Sequence, residues 1–228
     1  MILLIGLAVT NRAVAAALSR RGCAAVAADD HPDGDTRAAA ERIGIRLVER
    51  PDDAELGRLV EESTTVVPSP GVPDHHPVFA LARRCGVAVQ SEFDLARQWD
   101  RRPLLAVTGT DGKTTVTTLV TTMLERSGVS AVAVGNTELP LVAAIDDPSV
   151  DAFVVEASSF RLAHTERFEP AVATWLNLAA DHQDAHSSLA AYEAAKALAT
   201  SWGKARHSSS VRATSSLPGV ISRSARTR

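Results

Sequence analysis

Leu104-Leu105-Ala106-Val107-Thr108-Gly109-Thr110-Asp111-Gly112-Lys113-Thr114-Thr115 reads as a buried strand that runs into a glycine-bearing turn and then into a helix continuing to Arg126. A strand, a Gly-rich turn and a helix in that order form the context of a phosphate-binding loop. Gly109 and Gly112 let the turn aim backbone N–H groups at phosphate oxygens, and the helix N-terminus adds partial positive charge. Lys113 is placed to reach terminal phosphates and Thr114 to offer its hydroxyl to Mg²⁺. The expected ligand is a nucleoside triphosphate held by Gly109, Thr110, Asp111, Gly112, Lys113, Thr114 and Thr115. The general pattern G-x-x-x-x-G-K-[ST] would have Gly where this chain has Val107, so the generic motif is met only in part.

Working outward, both flanks alternate short apolar runs with helical patterns. On the N-terminal side, strands are expected at Met1–Ile5, Cys23–Ala28, Ile45–Val48, Thr65–Pro68 and Val87–Val89, interleaved with helices near Asn11–Arg21, Thr36–Ile43, Asp53–Glu62 and Val78–Cys85. On the C-terminal side, strands at Ala131–Val134, Ala152–Glu156 and Val172–Leu176 precede a helix near Ala190–Thr200. Such alternation predicts α/β architecture with parallel sheets: a Rossmann-like unit over 1–98 and a partial P-loop ATPase-type unit over 99–200. The polar stretch Gln98-Trp99-Asp100-Arg101-Arg102-Pro103 marks the boundary. Beyond residue 200 the periodicity fails. Residues 201–228 hold eight Ser, five Arg and one Lys with no Asp or Glu, and are expected to be a disordered tail. The preceding 200 residues carry 18 basic and 27 acidic side chains.

A 45% hydrophobic, 22% charged composition is that of a globular protein able to bury a core. Cys23 and Cys85 are isolated, which argues against a disulfide framework or a zinc site. No apolar run approaches the ~20 residues of a membrane span, and the N-terminus lacks the basic segment of a secretory signal. A cytoplasmic protein is expected. The basic tail has no interleaved aromatics, so nucleic acid is not an expected partner.

Three further segments carry candidate chemistry. The first βα turn, Gly6-Leu7-Ala8-Val9-Thr10-Asn11, keeps only Gly6 of the three glycines of a dinucleotide fingerprint; Thr10 can still donate to a phosphate. Asp29 and Asp30 end the second strand, where an acidic side chain can accept from a nucleotide's ribose or base. Glu156 ends a strand expected beside that of the phosphate loop, a position suited to Mg²⁺. The run Asn177 to His186 concentrates Asp and His after the next strand.

The strings TGTDGKTT, EASSFRL and NLAADHQD, in this order, resemble the Mur ligase family of peptidoglycan synthesis, and EASSFRL with Gly6–Asn11 and Ser69-Pro70-Gly71 points to its D-glutamate-adding branch. The resemblance runs from Met1 to about Thr200. It implies ATP and Mg²⁺ as cofactors, UDP-N-acetylmuramoyl-L-alanine and D-glutamate as substrates, and amide-bond formation through an acyl phosphate. It also implies roles: Lys113 on the β- and γ-phosphates; Thr114, Glu156, His182 and a carbamylated Lys196 around metal; Asn136, Ser158 and His182 at the muramoyl substrate. Val9, Thr10, Asp29, Asp30, Ser69 and Gly71 match the UDP-binding loops. Family members have a third, C-terminal domain that this chain of 228 residues is too short to hold, so it is expected to be inactive alone. The competing readings are a non-catalytic UDP-sugar-binding fragment, another Mur-type amino-acid ligase, or a folate polyglutamate ligase; EASSFRL argues against the last.

Overall fold

The computed structural model of the chain describes residues 1–179, 189–201 and 208–210. Ten strands and nine helices among them build two parallel five-stranded sheets. The first contains β1 (Ile2–Ile5), β2 (Ala25–Asp29), β3 (Arg46–Glu49), β4 (Thr65–Pro68) and β5 (Ala88–Val89) in the order β3-β2-β1-β4-β5. Its helices are α1 (Val9–Arg20), α2 (Gly34–Ile43), α3 (Asp53–Glu61), α4 (Pro77–Cys85) and α5 (Glu92–Trp99). The second sheet, in the order β10-β9-β6-β8-β7, uses β6 (Leu104–Thr108), β7 (Ala131–Gly135), β8 (Ala152–Glu156), β9 (Val172–Trp175) and β10 (Ser208–Ser210). Among its helices are α6 (Lys113–Arg126), α7 (Leu141–Ala144), α8 (Ser159–Ala163) and α9 (Leu189–Ser201).

The pleat of the first sheet divides its side chains between two cores. Leu3, Ile5, Val26, Ala28, Val48 and Val66 face Leu56, Leu59, Val60, Val78 and Ala82 of α3 and α4. Leu4, Ala27 and Val67 face the other way, onto Val14 and Leu18 of α1. Both faces are therefore covered, which is why the strands read as continuous apolar runs. The second core does not stop at the first sheet. It passes through Phe93 and Leu95 of α5 to Leu104, Phe153, Val155 and Phe168, so the two sheets share one apolar interior.

The expected strands and helices are present, with ends shifted by a residue or two. Four elements lie outside expectation: the short helices α7 and α8, of four and five residues, and two others. α5 occupies a stretch assigned no structure in sequence, and Ser208–Ser210, inside the segment expected to be disordered, pairs parallel with Ala173–Trp175 as a three-residue edge strand. The strand contains no apolar residue, so no periodicity announces it; the open edge of β9 supplies the partner.

Candidate active site

In both sheets the sequence-predicted residues among those described gather at the C-terminal strand ends. β6 and β8 are neighbours, with Val107 in register with Glu156, so the phosphate-loop turn and the Glu156 carboxylate emerge side by side. Gly109 has φ +157° and Gly112 φ +79°, conformations that L side chains rarely adopt. A Cβ on Gly109 would also sit 3.1 Å from Leu176 Cβ. Gly112 is the N-cap of α6, which has neither a side-chain cap nor an acidic residue in its first turn. That terminus is open to an anion.

Asn177, a residue given no role in the sequence reading, shapes this loop. Its Oδ1 accepts from the N–H groups of Thr110 and Asp111, both at 2.9 Å, and its Nδ2 donates to the Asp111 carbonyl at 3.1 Å. Its place directly after a strand beside β6 was the available signal. Lys113 Nζ donates to the carbonyls of Gly109 and Thr110 at 3.0 and 2.7 Å. Lys196, from α9, is 1% exposed and donates to the same Gly109 carbonyl at 2.7 Å. Two ammonium groups 83 positions apart thus meet on one turn.

Glu156 is 3% exposed. Its Oε2 accepts from Thr114 Oγ1 at 2.8 Å and its Oε1 from Asn136 Nδ2 at 3.1 Å. Gly135 makes this approach possible: at φ +99°, an added Cβ would lie 2.6 Å from the Glu156 carbonyl oxygen. Asn136 N donates to that same carbonyl at 2.9 Å, stapling the two strand ends. A buried carboxylate bonded by a hydroxyl and an amide, and by no cation in an ion pair among the described residues, is an oxygen donor set that fits Mg²⁺. The open glycine turn with Lys113 fits a polyphosphate. Among the described residues there is no cluster of three or more His, Cys, Asp or Glu, and His182 lies outside them. Ser158, 7% exposed at the N-cap of α8, has a hydroxyl with no hydrogen-bond partner.

The first sheet's turn is built differently from a glycine fingerprint. Asn11 is fully buried, and its Nδ2 donates to the carbonyls of Ile5, Gly6 and Val67 at 2.9–3.1 Å. It ties the β1 turn to β4, where a glycine would only make space. Asp29 accepts from Leu7 N at 2.8 Å and His31 N at 2.9 Å, while Asp30 pairs with His76 Nε2 at 2.9 Å. Thr10 Oγ1 accepts from Arg161 Nη2 at 2.9 Å, which leaves its O–H to donate. Ser69 is buried beside Gly6, its hydroxyl without a hydrogen-bond partner; Val9 and Gly71 are exposed at the same rim.

Arg161 bridges the sheets. It is 7% exposed, and Nη1 lies 2.5 Å from Glu92 Oε1, with Glu92 2% exposed. Burial pushes the Glu92 carboxyl above the ordinary glutamate range, and Arg161 with the Val142 and Leu141 N–H groups draws it back only in part.

Residues 107–208 match the Mur ligase middle domain family. The chain is 38% identical over 205 residues to a UDP-N-acetylmuramoylalanine–D-glutamate ligase of Mycolicibacterium vanbaalenii, covering 87% of this chain and 41% of that protein. It is 40% identical to the protein of the same name from Desulfatibacillum aliphaticivorans, covering 86% of this chain and 44% of that one. The chain thus spans less than half the length of these curated relatives. Among solved structures, a UDP-N-acetylmuramate:L-alanyl-gamma-D-glutamyl-meso-diaminopimelate ligase from Neisseria meningitides superposes with TM-score 0.58 at 21% identity, over 89% of this chain and 68% of that one. A UDP-N-acetylmuramate-alanine ligase from Thermotoga maritima gives TM-score 0.51 at 21% identity, over 92% of this chain and 48% of that one. The two structures share the fold.

Proposed function

We propose that the chain is a member of the Mur ligase family, as the match of residues 107–208 to its middle domain and the 38–40% identity to two D-glutamate ligases support, and that it carries the nucleotide-sugar and ATP half-sites of an ATP-dependent ligase that joins D-glutamate to UDP-N-acetylmuramoyl-L-alanine in the cytoplasm. The observation that carries this reading is the convergence of Lys113, Thr114, Glu156 and Lys196 on one glycine turn, with Asn136 on the side of Glu156 facing β7. In the reaction the alanyl carboxylate takes the γ-phosphoryl group of ATP. The D-glutamate amine then attacks the acyl phosphate, expels phosphate and leaves an amide.

Positioning and charge neutralisation dominate such a transfer. The N–H groups at the uncapped start of α6, from Gly112 to Thr115, hold the phosphates, those of Thr110 and Asp111 being taken by Asn177 Oδ1, and Lys113 exchanges its bonds to the Gly109 and Thr110 carbonyls for the β- and γ-phosphate oxygens. Thr114 and Glu156 would hold Mg²⁺, together with His182 and with Lys196 once carbamylated, and the ion would supply charge that offsets the phosphoryl oxygens. Carbamylation converts the Lys196 ammonium into an anionic oxygen ligand, a change suited to a side chain 1% exposed beside the phosphate loop. Asn136 and Ser158 orient the muramoyl end. Val9, Thr10, Asp29, Asp30, Ser69 and Gly71 hold the UDP end, Asp29 acting through the turn it pins and Asp30 from its pair with His76.

Calorimetry on the 228-residue chain with UDP-N-acetylmuramoyl-L-alanine, and separately with Mg²⁺ and a non-hydrolysable ATP analogue, tests the reading. Saturable binding of both is expected. Absence of heat for both at millimolar ligand overturns it. In a protein of the relatives' full length, phosphate release from ATP is expected to require both the UDP-sugar and D-glutamate; equal release with another amino acid would reassign the branch.

A further inference from the structure

Arg161 stands where three segments meet: it belongs to α8, pairs with Glu92 at the start of α5, and donates to Thr10 in the first turn of α1. Glu92 in turn accepts from Val142 N of α7 at 3.1 Å. Along α8, Arg161 lies three residues after Ser158 and five after Glu156. One side chain thus connects the turn that caps β1 to the end of β8.

The pair is a poor device for stability alone. Burying two charges costs about what their attraction returns, and here the guanidinium Nε has no hydrogen-bond partner and is shut off from water. What the pair supplies is geometry: a short, directional contact that lets the two sheets meet in one arrangement. Resting on the function proposed above, we infer that Arg161, held by Glu92, is a positioning residue that fixes the distance between the UDP-binding turn and the Glu156 strand end. It thereby selects a ligand that reaches both sheets over one that reaches only the first.

On that reading UDP touches the first sheet alone, whereas the alanyl carboxylate extends to the Asn136 and Ser158 side of the second. When the sheets are locked, the second contact forms at high effective concentration; when they are not, ordering them consumes binding energy. Removing Arg161 should therefore weaken the long ligand and spare the short one. A residue that merely supported folding would weaken both together.

Isothermal calorimetry on the full chain with UDP and with UDP-N-acetylmuramoyl-L-alanine tests this in the wild type, Arg161→Ala and Arg161→Lys. The double variant Glu92→Gln with Arg161→Met is added because it strands no buried charge and so guards against simple unfolding. The wild type is expected to bind the long ligand at least about tenfold more tightly than UDP. In Arg161→Ala and in the double variant that ratio should fall below about three, with UDP affinity held within about threefold; Arg161→Lys, which keeps the charge facing Glu92, should recover part of the ratio. An unchanged ratio in a folded variant, or an equal loss for both ligands, overturns the positioning role. If the wild type binds neither ligand, the functional reading itself fails, a result distinct from either of those.

Discussion

Gly135 and Gly128 both have positive φ, at +99° and +84°, yet only one of them bears on the site. A Cβ at Gly135 would meet the Glu156 carbonyl at 2.6 Å, while a Cβ at Gly128 meets nothing within 4 Å. Gly135→Ala must therefore push β7 away from β8 at the point where Asn136 and Glu156 are stapled. We expect a loss of about 1–3 kcal/mol in urea unfolding together with weaker nucleotide binding. Gly128→Ala should cost about 1 kcal/mol of backbone strain and leave nucleotide affinity unchanged. Equal effects at the two sites would deny that the close approach matters. Lys113→Ala, by contrast, should leave the fold intact and reduce Mg-ATP affinity about tenfold, or ~1.4 kcal/mol by calorimetry. The two residues also differ in legibility. Lys113 and Glu156 could be picked from sequence because their chemistry is local: a cation after a glycine turn, a carboxylate at a strand end. Gly135 could not, since what forbids a side chain there is the carbonyl of a strand 21 residues later. Asn177 was hidden for the same reason, its three side-chain bonds all going to a turn 66 and 67 residues earlier.

α5 shows how an element escapes a reading based on periodicity. Glu92, Phe93, Asp94, Leu95 and Ala96 are all buried, so no polar face alternates with an apolar one. The signal it did carry was Ser91-Glu92-Phe93-Asp94, a capping box formed in full. Ser91 Oγ accepts from Phe93 N and Asp94 N, and Asp94 Oδ2 accepts from Ser91 N at 2.8 Å. Asp94 also works beyond its own helix: Oδ1 accepts from the N–H groups of Glu166 and Arg167, at 2.9 and 2.6 Å, in the segment after α8. The cap thereby doubles as a joint between the two sheets. Ser91→Ala should cost about 1 kcal/mol, the usual loss for a helix cap. Asp94→Ala leaves three backbone donors without their acceptor and should cost at least about 2 kcal/mol. Guanidinium denaturation of both variants checks the ranking. If Asp94→Ala costs no more than Ser91→Ala, the joint contributes nothing beyond the cap.

At the scale of the molecule, sequence divides the chain near residues 98–103; the last strand of the first sheet ends at Val89 and the first of the second begins at Leu104. The division does not extend to the core, because Leu4, Val14 and Leu18 share one apolar cluster with Leu104, Phe153 and Phe168. The pattern of each segment tells which face is apolar but not which sheet covers it, so the shared interior was illegible. Two acids at this junction respond to pH in opposite senses. Asp146 accepts from Arg20 and Arg21 across the junction; burial acts to raise its pKa, but the hydrogen bonds from Arg21 and Arg20 outweigh it and hold the carboxyl below the ordinary range. Its stabilisation is therefore present above the unfolded pKa and is lost as pH falls through the folded one. The Glu92 carboxyl is raised, so the folded state binds the extra proton, and its effect on stability declines as pH rises from the unfolded pKa through the folded one. Asp146 is still one-third exposed, so its pairs are worth less than about 1 kcal/mol, and Asp146→Asn should flatten the acid limb of stability against pH with little loss at neutrality. Glu92→Gln should flatten the limb on the other side, above the ordinary glutamate pKa, although it lowers stability throughout by leaving Arg161 buried without its counter-charge. Urea midpoints measured at half-unit steps of pH separate the two effects. Because both acids lie on the shared interface, fluorescence of Trp99 and Trp175, one on each side, should report a single transition in each variant. Two separated transitions would mean that the sheets unfold independently and that the common core does not couple them.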